Sequence, residues 1–190
     1  LVESIGPSGY ETAVREMIKV EVTPFADDVR VDALGNLLVR KGARQASGIR
    51  IMLAAHMDEI GVIATHIDEN GFIRFSSLGG VYPANCPGSR VRFVSGVEGD
   101  IGLDRLENRG HNFSIEQLYI DVGASGQKDC PVKIGEVAAF NRPMLELGSR
   151  IAAKSMDDRI GVAVLVEVLK QLKKTPHEVT FVFSVQEEVG

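Results

Sequence analysis

Apolar residues near the start of the chain recur at helical spacing. They fall on one side of a segment from Tyr10 to Val22, and Pro24 ends the pattern. Two short apolar runs then flank Gly35-Asn36, a dipeptide that tolerates the positive φ angles of a tight turn. The pattern therefore predicts an amphipathic helix followed by a β-hairpin.

Two later apolar runs do not alternate with polar residues. They cover Ile49 to Ala55 and Val179 to Val185, and such runs are typical of strands covered on both faces in an α/β sheet. Between them, from Asp158 to Lys174, apolar residues repeat at helical spacing. We expect six of them to form the inward face of a helix: Ile160, Val164, Leu165, Val168, Leu169 and Leu172. Strand, helix and strand in this order predict a βαβ layer.

The middle of the chain, roughly Ile67 to Leu147, has a different pattern. Short β-rich runs alternate with glycine, proline and asparagine turns, which predicts a small β-barrel or sandwich. The runs are Phe72 to Phe75, Arg90 to Val94, Leu118 to Val122 and Val137 to Phe140. Because α/β elements come before and after it, the simplest architecture inserts this β-rich domain (67–147) into a discontinuous α/β domain (1–66 plus 148–190).

Composition and charge exclude several classes of protein. The 190 residues are 44% hydrophobic and 25% charged, as in a globular chain with a real core. The net charge is −5 with scattered Lys and Arg, which argues against nucleic-acid and membrane partners. Cys86 and Cys130 lie far apart and outside CxxC spacing, so we expect free thiols in a reducing cytoplasm. No apolar run is long enough to span a bilayer.

Polar side chains follow the two long apolar strands, where open α/β sheets place their ligand sites. His56 and Asp58 end the first strand two residues apart, so Asp58 can hold the imidazole in the tautomer that binds metal. Glu187 and Glu188 end the second, where adjacent acids repel each other unless a cation or a shared proton offsets them. Because adjacent strand residues point opposite ways, we expect the two glutamates to have different roles.

A third acidic pair, Asp157-Asp158, stands just before the predicted helix. One carboxylate there could cap the helix, but one cap does not need both. One histidine with several carboxylates fits divalent ions such as Zn²⁺, Co²⁺ or Mn²⁺. A bridging carboxylate can hold two ions about 3.5–4 Å apart, which lower the pKa of a shared water. Hydrolysis follows if one glutamate serves as general base.

Six short motifs occur in order along nearly the whole chain. They are Gly-Pro-Ser-Gly-Tyr-Glu (6–11), Asp-x-Leu-Gly-Asn (32–36), Ala-His-Met-Asp-Glu-Ile-Gly (55–61), Tyr-Ile-Asp-Val-Gly-Ala (119–124), Met-Asp-Asp-Arg-Ile-Gly (156–161) and Gln-Glu-Glu-Val-Gly (186–190). Together they resemble the M42 family of metallo-aminopeptidases, which includes the glutamyl and deblocking aminopeptidases and the tetrahedral TET peptidases. The resemblance implies hydrolysis of N-terminal residues from peptides.

The resemblance also implies a fold and site roles. The fold would be a phosphorylase/hydrolase-like α/β aminopeptidase domain with an inserted small β-barrel, which mediates contacts in homo-oligomers that are often dodecameric and helps to shape the substrate site. His56 would ligate one of two divalent metal ions, Glu188 the other, and Asp157 would bridge them. Glu187 would be the general base, and Asp58 would hold His56.

The family supplies one Asp and one His ligand from beyond the Glu-Glu motif, whereas this sequence ends at Gly190. Each metal would therefore lack one protein ligand here. Leu1 opens inside an apolar segment and Gly190 directly follows an apolar strand, so we expect the chain to be a fragment. Asp158 occupies a family position that is often Asn and is left out of the ligand set.

Three other histidines, His66, His111 and His177, have no carboxylate arranged like that of His56, and we expect them to be solvated or structural. Two alternative functions stay open. Paired carboxylates also serve glycoside hydrolases, and members of the family have been labelled endoglucanases, but the chain has no tryptophan for a sugar platform. The other alternative is a non-catalytic scaffold of the same fold, in which the β-rich domain only assembles.

Overall fold

The computed structural model describes residues 1–104 and 113–190. It divides into two compact units, which we call the sheet unit (Leu1–Glu59 and Ser155–Glu187) and the barrel unit (Ile60–Lys154 and Glu188–Gly190). Within the sheet unit, the Ser155 hydroxyl donates a hydrogen bond of 2.5 Å to Glu59 Oε2. The chain therefore leaves the sheet unit and returns to it at one place.

The helices and strands of the described residues follow in chain order. They are α1 (Thr12–Val22), β1 (Asp28–Val31), β2 (Leu37–Lys41), β3 (Arg50–His56), β4 (Gly61–Ile67), β5 (Ile73–Leu78), β6 (Arg90–Phe93), β7 (Glu98–Leu103), β8 (Leu118–Asp121), β9 (Val137–Phe140), β10 (Leu145–Leu147), β11 (Arg150–Ala152), α2 (Met156–Gln171) and β12 (Glu178–Ser184).

The sheet unit contains a mixed sheet whose described strands run in the order β1-β2-β12-β3. β1 and β2 form the predicted antiparallel hairpin. β12 is antiparallel to β2 and parallel to β3, with α2 between β3 and β12 in the chain, so the predicted strand-helix-strand layer is confirmed. In the parallel register Ser184 lies opposite His56. The two strands therefore end side by side, which brings the residues that follow them together.

A hydrophobic core joins the sheet to α1 and α2. Its members are buried on each element: Val14, Ile18 and Val22 on α1, Val162, Leu165, Val166 and Leu169 on α2, and Leu37, Val39, Phe181 and Phe183 on the sheet. Along β12, buried residues alternate with half-buried ones. Burying a side chain such as Phe181 contributes about 1.5–3 kcal/mol, so this apolar face holds the helices against the sheet.

The prediction that both long strands are covered on both faces does not hold for β3 in the described chain, whereas the second face of β12 is half-buried. Met52 on β3 is 72% exposed, and only the last two residues of that strand are buried. β3 lies at an edge of the sheet, and the two helices share a core with the alternate residues of β12. An apolar run in the sequence therefore does not show whether a second layer packs on the other face of the strand.

The predicted inward face of α2 is only partly right. Leu165 and Leu169 are buried, but Ile160, Val164 and Val168 are exposed. The helix buries Val162 and Val166 instead, together with Arg159. Residues four apart form one stripe of a helix, and α2 has two apolar stripes, of which a single core covers one. The periodicity alone could not choose between them.

The β-rich middle of the chain forms a closed barrel and not a sandwich. Its described strands close in the order β4-β5-β8-β7-β6-β9, and each neighbouring pair is antiparallel. β4, β7 and the β10–β11 hairpin were not predicted as strands. β7 reads Glu-Gly-Asp-Ile-Gly-Leu, and its two glycines weaken a strand pattern. Those glycines are needed because a Cβ on Gly99 would lie 2.6 Å from Ile120 Cγ2, and one on Gly102 would overlap the Tyr119 ring.

The barrel has its own apolar core, which includes Val91, Phe93, Ile101, Leu118 and Ile120. Both cysteines are free, as predicted. Cys86 is buried in this core, and burial raises the pKa of its thiol. Within the described residues, no helix is both long and apolar enough to cross a membrane.

Candidate functional site

His56 lies at the centre of a polar cluster at the end of β3. Its Nε2 atom is 3.1 Å from Asp157 Oδ1 and 3.8 Å from Glu187 Oε2. Its other ring nitrogen, Nδ1, is 3.4 Å from Asp58 Oδ1. The His56 ring is mostly buried, whereas the side chains of Asp157 and Glu187 are 91% and 62% exposed. Four of the five residues singled out in the sequence therefore meet around one imidazole.

Glu188, the fifth residue, belongs to the barrel unit. It is half-buried beside Gly79, where an added Cβ would lie 3.0 Å from the Cβ atom of Glu188. Its neighbour Glu187 belongs to the sheet unit, so the two adjacent acids lie in different surroundings.

The start of α2 separates the roles of its two aspartates. Asp157 and Asp158 have non-helical backbone angles, the peptide bond between them is cis, and regular helix begins at Arg159. Asp158 Oδ1 accepts the backbone N–H of Gly161 at 3.2 Å, so Asp158 satisfies a free N–H group of the first turn. Asp157 instead faces His56.

Asp58 is fully buried and contacts three parts of the cluster. Its Oδ2 atom accepts a hydrogen bond from the Ser8 hydroxyl at 2.5 Å, and its Oδ1 atom accepts the backbone N–H of Glu187 at 3.1 Å. Oδ1 also faces His56 Nδ1. One carboxylate thus lies beside the imidazole and accepts the backbone N–H of Glu187. Ser8 belongs to the first motif, but the sequence gave it no role.

A second buried network lies behind the cluster and was missed in the sequence. Arg159 is fully buried, and its guanidinium donates to Glu59 Oε1 at 3.3 Å and to the Met57 carbonyl at 3.1 Å. Glu59 also accepts hydrogen bonds from the Gly6 N–H and the Ser155 hydroxyl. Burial lowers the pKa of Arg159, and the charge of Glu59 opposes that shift. The network ties the start of α2, and with it Asp157, to the end of β3.

The other histidines behave as expected where they are described. His66 is exposed on β4. His177 Nδ1 accepts the backbone N–H of Ile49 at 3.2 Å, which is a structural role. His111 lies outside the described residues.

The donor chemistry of the cluster suits a divalent cation, although its geometry is incomplete. No group of three or more His, Cys, Asp or Glu side chains in residues 1–104 and 113–190 is close enough together to hold a metal ion. The His56–Asp157 pair nevertheless offers an imidazole nitrogen and a carboxylate oxygen, and Asp58 stands at the second ring nitrogen, as is usual for metal-binding histidines. The described chain therefore brings together a pair of suitable ligands.

These features define a class of protein: a mixed α/β sheet unit with an imidazole-carboxylate cluster at adjacent strand ends, interrupted in sequence by a closed β-barrel. The chain belongs to the M42 glutamyl aminopeptidase family, whose sequence model matches residues 35–190.

Two curated relatives cover nearly all of this chain. A candidate aminopeptidase of Acetivibrio thermocellus is 44% identical over 189 residues, which are 98% of this chain and 56% of the relative. The lysyl aminopeptidase of Pyrococcus furiosus is 33% identical over 205 aligned residues, covering 100% of this chain and 58% of the relative. The chain therefore spans little more than half the length of these relatives.

Solved structures share the fold as well. The Pyrococcus horikoshii TET1 peptidase, described as assembling into a tetrahedron or a large octahedral shell, is 36% identical with a TM-score of 0.88, covering 100% of this chain and 60% of that one. A Thermotoga maritima protein named as an endoglucanase is 34% identical with a TM-score of 0.85, covering 98% of this chain and 58% of that one. Because the family is one of peptidases, the glycoside hydrolase alternative is not retained.

Proposed function

We propose that the intact protein is a metal-dependent aminopeptidase that removes N-terminal residues from peptides. The observation that carries this proposal is the approach of Asp157 and Glu187 to one ring nitrogen of His56, at the ends of parallel strands, in a chain of this family. In this proposal the sheet unit is part of a phosphorylase/hydrolase-like aminopeptidase domain.

Each residue of the cluster has a distinct proposed role. His56, Asp157 and Glu188 would hold two divalent ions, Zn²⁺, Co²⁺ or Mn²⁺, with Asp157 shared between them. When bound, such ions polarise a substrate carbonyl and lower the pKa of water. Glu187 takes the proton from the attacking water and returns it to the leaving amine. Its side chain is 62% exposed, so water and substrate have access to its carboxylate. Asp58 holds the imidazole in one orientation.

We further propose that the intact protein forms a homo-oligomer, as the Pyrococcus horikoshii TET1 peptidase does. Large apolar side chains of the barrel unit, among them Tyr82, Val94 and Ile134, are more than half exposed and offer surface for such contacts. The free thiols of Cys86 and Cys130 support a reducing, cytoplasmic location.

The base assignment is tested with Glu187→Gln in the intact protein. The amide keeps the size of the side chain but cannot take a proton, so we expect turnover of aminoacyl and peptide substrates to fall by about 10²–10⁴-fold while the bound metal content stays unchanged. Glu167→Gln removes an exposed carboxylate of α2 that pairs with Lys170, and it should leave turnover unaltered.

Two outcomes would contradict parts of the proposal, the first its dependence on metal and the second the role of Glu187. One is hydrolysis that survives complete chelation without added Zn²⁺, Co²⁺ or Mn²⁺. The other, unchanged turnover in Glu187→Gln, would remove the assignment of Glu187 as general base. The scaffold alternative has its own test, because an intact protein without an Asp and a His ligand downstream of Gly190 would be a scaffold rather than an enzyme.

A further inference from the structure

Three consecutive backbone N–H groups beyond the end of β12 each donate to a side chain from a different part of the sequence. Val185 N–H donates to Asn36 Oδ1 at 3.0 Å, Gln186 N–H to Glu11 Oε1 at 3.1 Å, and Glu187 N–H to Asp58 Oδ1 at 3.1 Å. The three acceptors come from the first three motifs of the sequence, and only Asp58 has a place in the proposed chemistry so far.

The segment that these side chains hold has an unfavourable backbone. Gln186 has a φ angle of 58°, and in the described part of the chain only Ser155 shares a positive φ among non-glycine residues. A left-handed conformation is costly for a residue with a Cβ and persists only where its surroundings enforce it. Gln186 directly precedes Glu187, so its conformation sets the direction in which the Glu187 carboxylate leaves the strand.

The side chain of Glu11 hydrogen-bonds to the segment after β12 and not to the helix that Glu11 precedes. It occupies the N-cap position of α1, yet its side chain makes no cap hydrogen bond there. The residue is 4% exposed, and Oε1 accepts both the Gly9 N–H at 2.7 Å and the Gln186 N–H. A side chain at an N-cap ordinarily accepts an N–H of its own first turn. Glu11 instead accepts the N–H of Gln186, a residue from a distant part of the sequence.

Asn36 is held in a similar way. Its Nδ2 group donates to Asp32 Oδ2 at 2.8 Å, and Asp32 Oδ1 accepts the backbone N–H groups of Leu34, Gly35 and Asn36. These bonds lower the pKa of Asp32, which therefore stays ionised and keeps the turn between β1 and β2 closed. The side-chain oxygen Oδ1 of Asn36 thereby faces the Val185 N–H.

We propose that Glu11 is a positioning residue for Glu187. By accepting the Gln186 N–H, it fixes the left-handed backbone that directs the Glu187 carboxylate toward His56, and Asn36 supports the same segment one residue earlier. This inference rests on the proposed role of Glu187 as general base. A displacement of about 1 Å in a catalytic group can cost about 10²-fold in rate, so the contact matters even though Glu11 touches no reacting atom.

The first test compares Glu11→Ala with Glu11→Gln in the intact, metal-loaded protein. Alanine removes the acceptor, and we expect kcat to fall by about 10- to 100-fold with KM and bound metal unchanged. Glutamine keeps an oxygen that can accept both N–H groups, and it should restore kcat to within about threefold of the parent. Glu16→Gln, an exposed carboxylate of the same helix, is the matched control and should leave kcat unchanged.

Two further measurements separate positioning from general stability. Hydrogen exchange at the Gln186 amide should accelerate in Glu11→Ala and stay slow in Glu11→Gln, a readout that needs no activity. In a Glu187→Gln background, Glu11→Ala should cause no further loss of kcat, because residues that act through one another are non-additive. Asn36→Ala, measured in the same way, keeps the test valid if Glu11→Ala does not fold.

Two kinds of result would contradict the positioning role of Glu11. Losses of kcat that multiply in the double variant, or an unchanged kcat in Glu11→Ala, would overturn the positioning role and leave the proposed function standing. Unchanged turnover in Glu187→Gln alone would overturn the proposed role of Glu187 as general base, and with it this inference.

Discussion

Neighbouring carboxylates of this chain serve different networks because the backbone points them in different directions. Asp58 faces Ser8, His56 and Glu187, whereas Glu59 faces Arg159 and the Gly6 N–H. Both are almost completely buried. A buried carboxylate needs a cation or several donors to offset its desolvation. Each of the two has such partners, so neither can be replaced without effect.

The buried ion pair gives a prediction at the residue scale. Arg159→Met removes the guanidinium and leaves Glu59 as an uncompensated buried charge, so we expect the free energy of unfolding to fall by about 3–5 kcal/mol. Urea denaturation measures the change. Arg50→Met is the matched control, because Arg50 is 72% exposed where it pairs with Glu178, and exposed pairs contribute about 0–1 kcal/mol. Equal losses in the two variants would contradict the structural role of Arg159.

The sequence identified the residues at the strand ends but not their partners. His56, Asp58 and Glu187 could be placed because a long apolar run marks a strand and the polar residue after it marks the end. Glu11 and Arg159 gave no such signal. Each lies in a helix-forming segment where a charged residue is ordinarily solvated, and only the tertiary contacts show that it is buried.

At the scale of elements, the glycines of β7 decide how closely β7 and β8 pack. An added Cβ at Gly99 would lie 2.6 Å from Ile120 Cγ2 and 2.8 Å from the Asp121 carbonyl oxygen. Ile120 is a fully buried member of the barrel core, so it has no room to move aside. Because glycine is rare in strands, the same glycines also explain why the sequence pattern did not predict β7.

Gly99→Ala should therefore destabilise the protein by about 1–3 kcal/mol, the usual cost of overpacking a well-filled core. Thermal and urea unfolding measure the loss. Gly80→Ala provides the control within the same unit, because an added Cβ at Gly80 meets nothing within 4 Å, and a surface change of this kind stays within about 0.5 kcal/mol. A neutral Gly99→Ala would show that β7 and β8 are less tightly packed than described.

The sequence predicted the position of helix α2 but not its buried face. Its existence and its strand neighbours followed from periodicity, and regular helix begins at Arg159 as the sequence predicts. Its buried face did not follow, because apolar residues occupy two stripes and only the sheet decides which of them is covered.

At the scale of the whole molecule, the barrel is an insertion whose two ends meet. The Ser155–Glu59 hydrogen bond holds together the points at which the chain leaves and re-enters the sheet unit. A closed barrel has no free edge strands and, in this chain, its own apolar core. The described residues of the barrel unit therefore have the apolar core and the closed sheet that an independently folding domain requires.

We expect a polypeptide of residues 60–154 to fold alone and to unfold cooperatively, as followed by circular dichroism and urea titration. A second polypeptide, residues 68–154, lacks β4. Since β4 pairs with both β5 and β9, its removal opens the barrel and exposes two edges, and cooperative unfolding should be lost. Identical behaviour of the two polypeptides would contradict the closure of the barrel through β4.

By itself, the sequence determined the features that depend on short-range pattern. These are the hairpin around Gly35-Asn36, the strand-helix-strand layer, the β-rich middle, and the polar residues that end β3 and β12. Such features follow from the local geometry of helices, strands and turns, which repeats every two to four residues. Only the tertiary structure decided which apolar stripe of α2 is buried, that the β-rich strands close into a barrel, and that Asn36, Glu11 and Asp58 converge on three successive amides. Those outcomes depend on which distant segments become neighbours, and no local pattern encodes that choice.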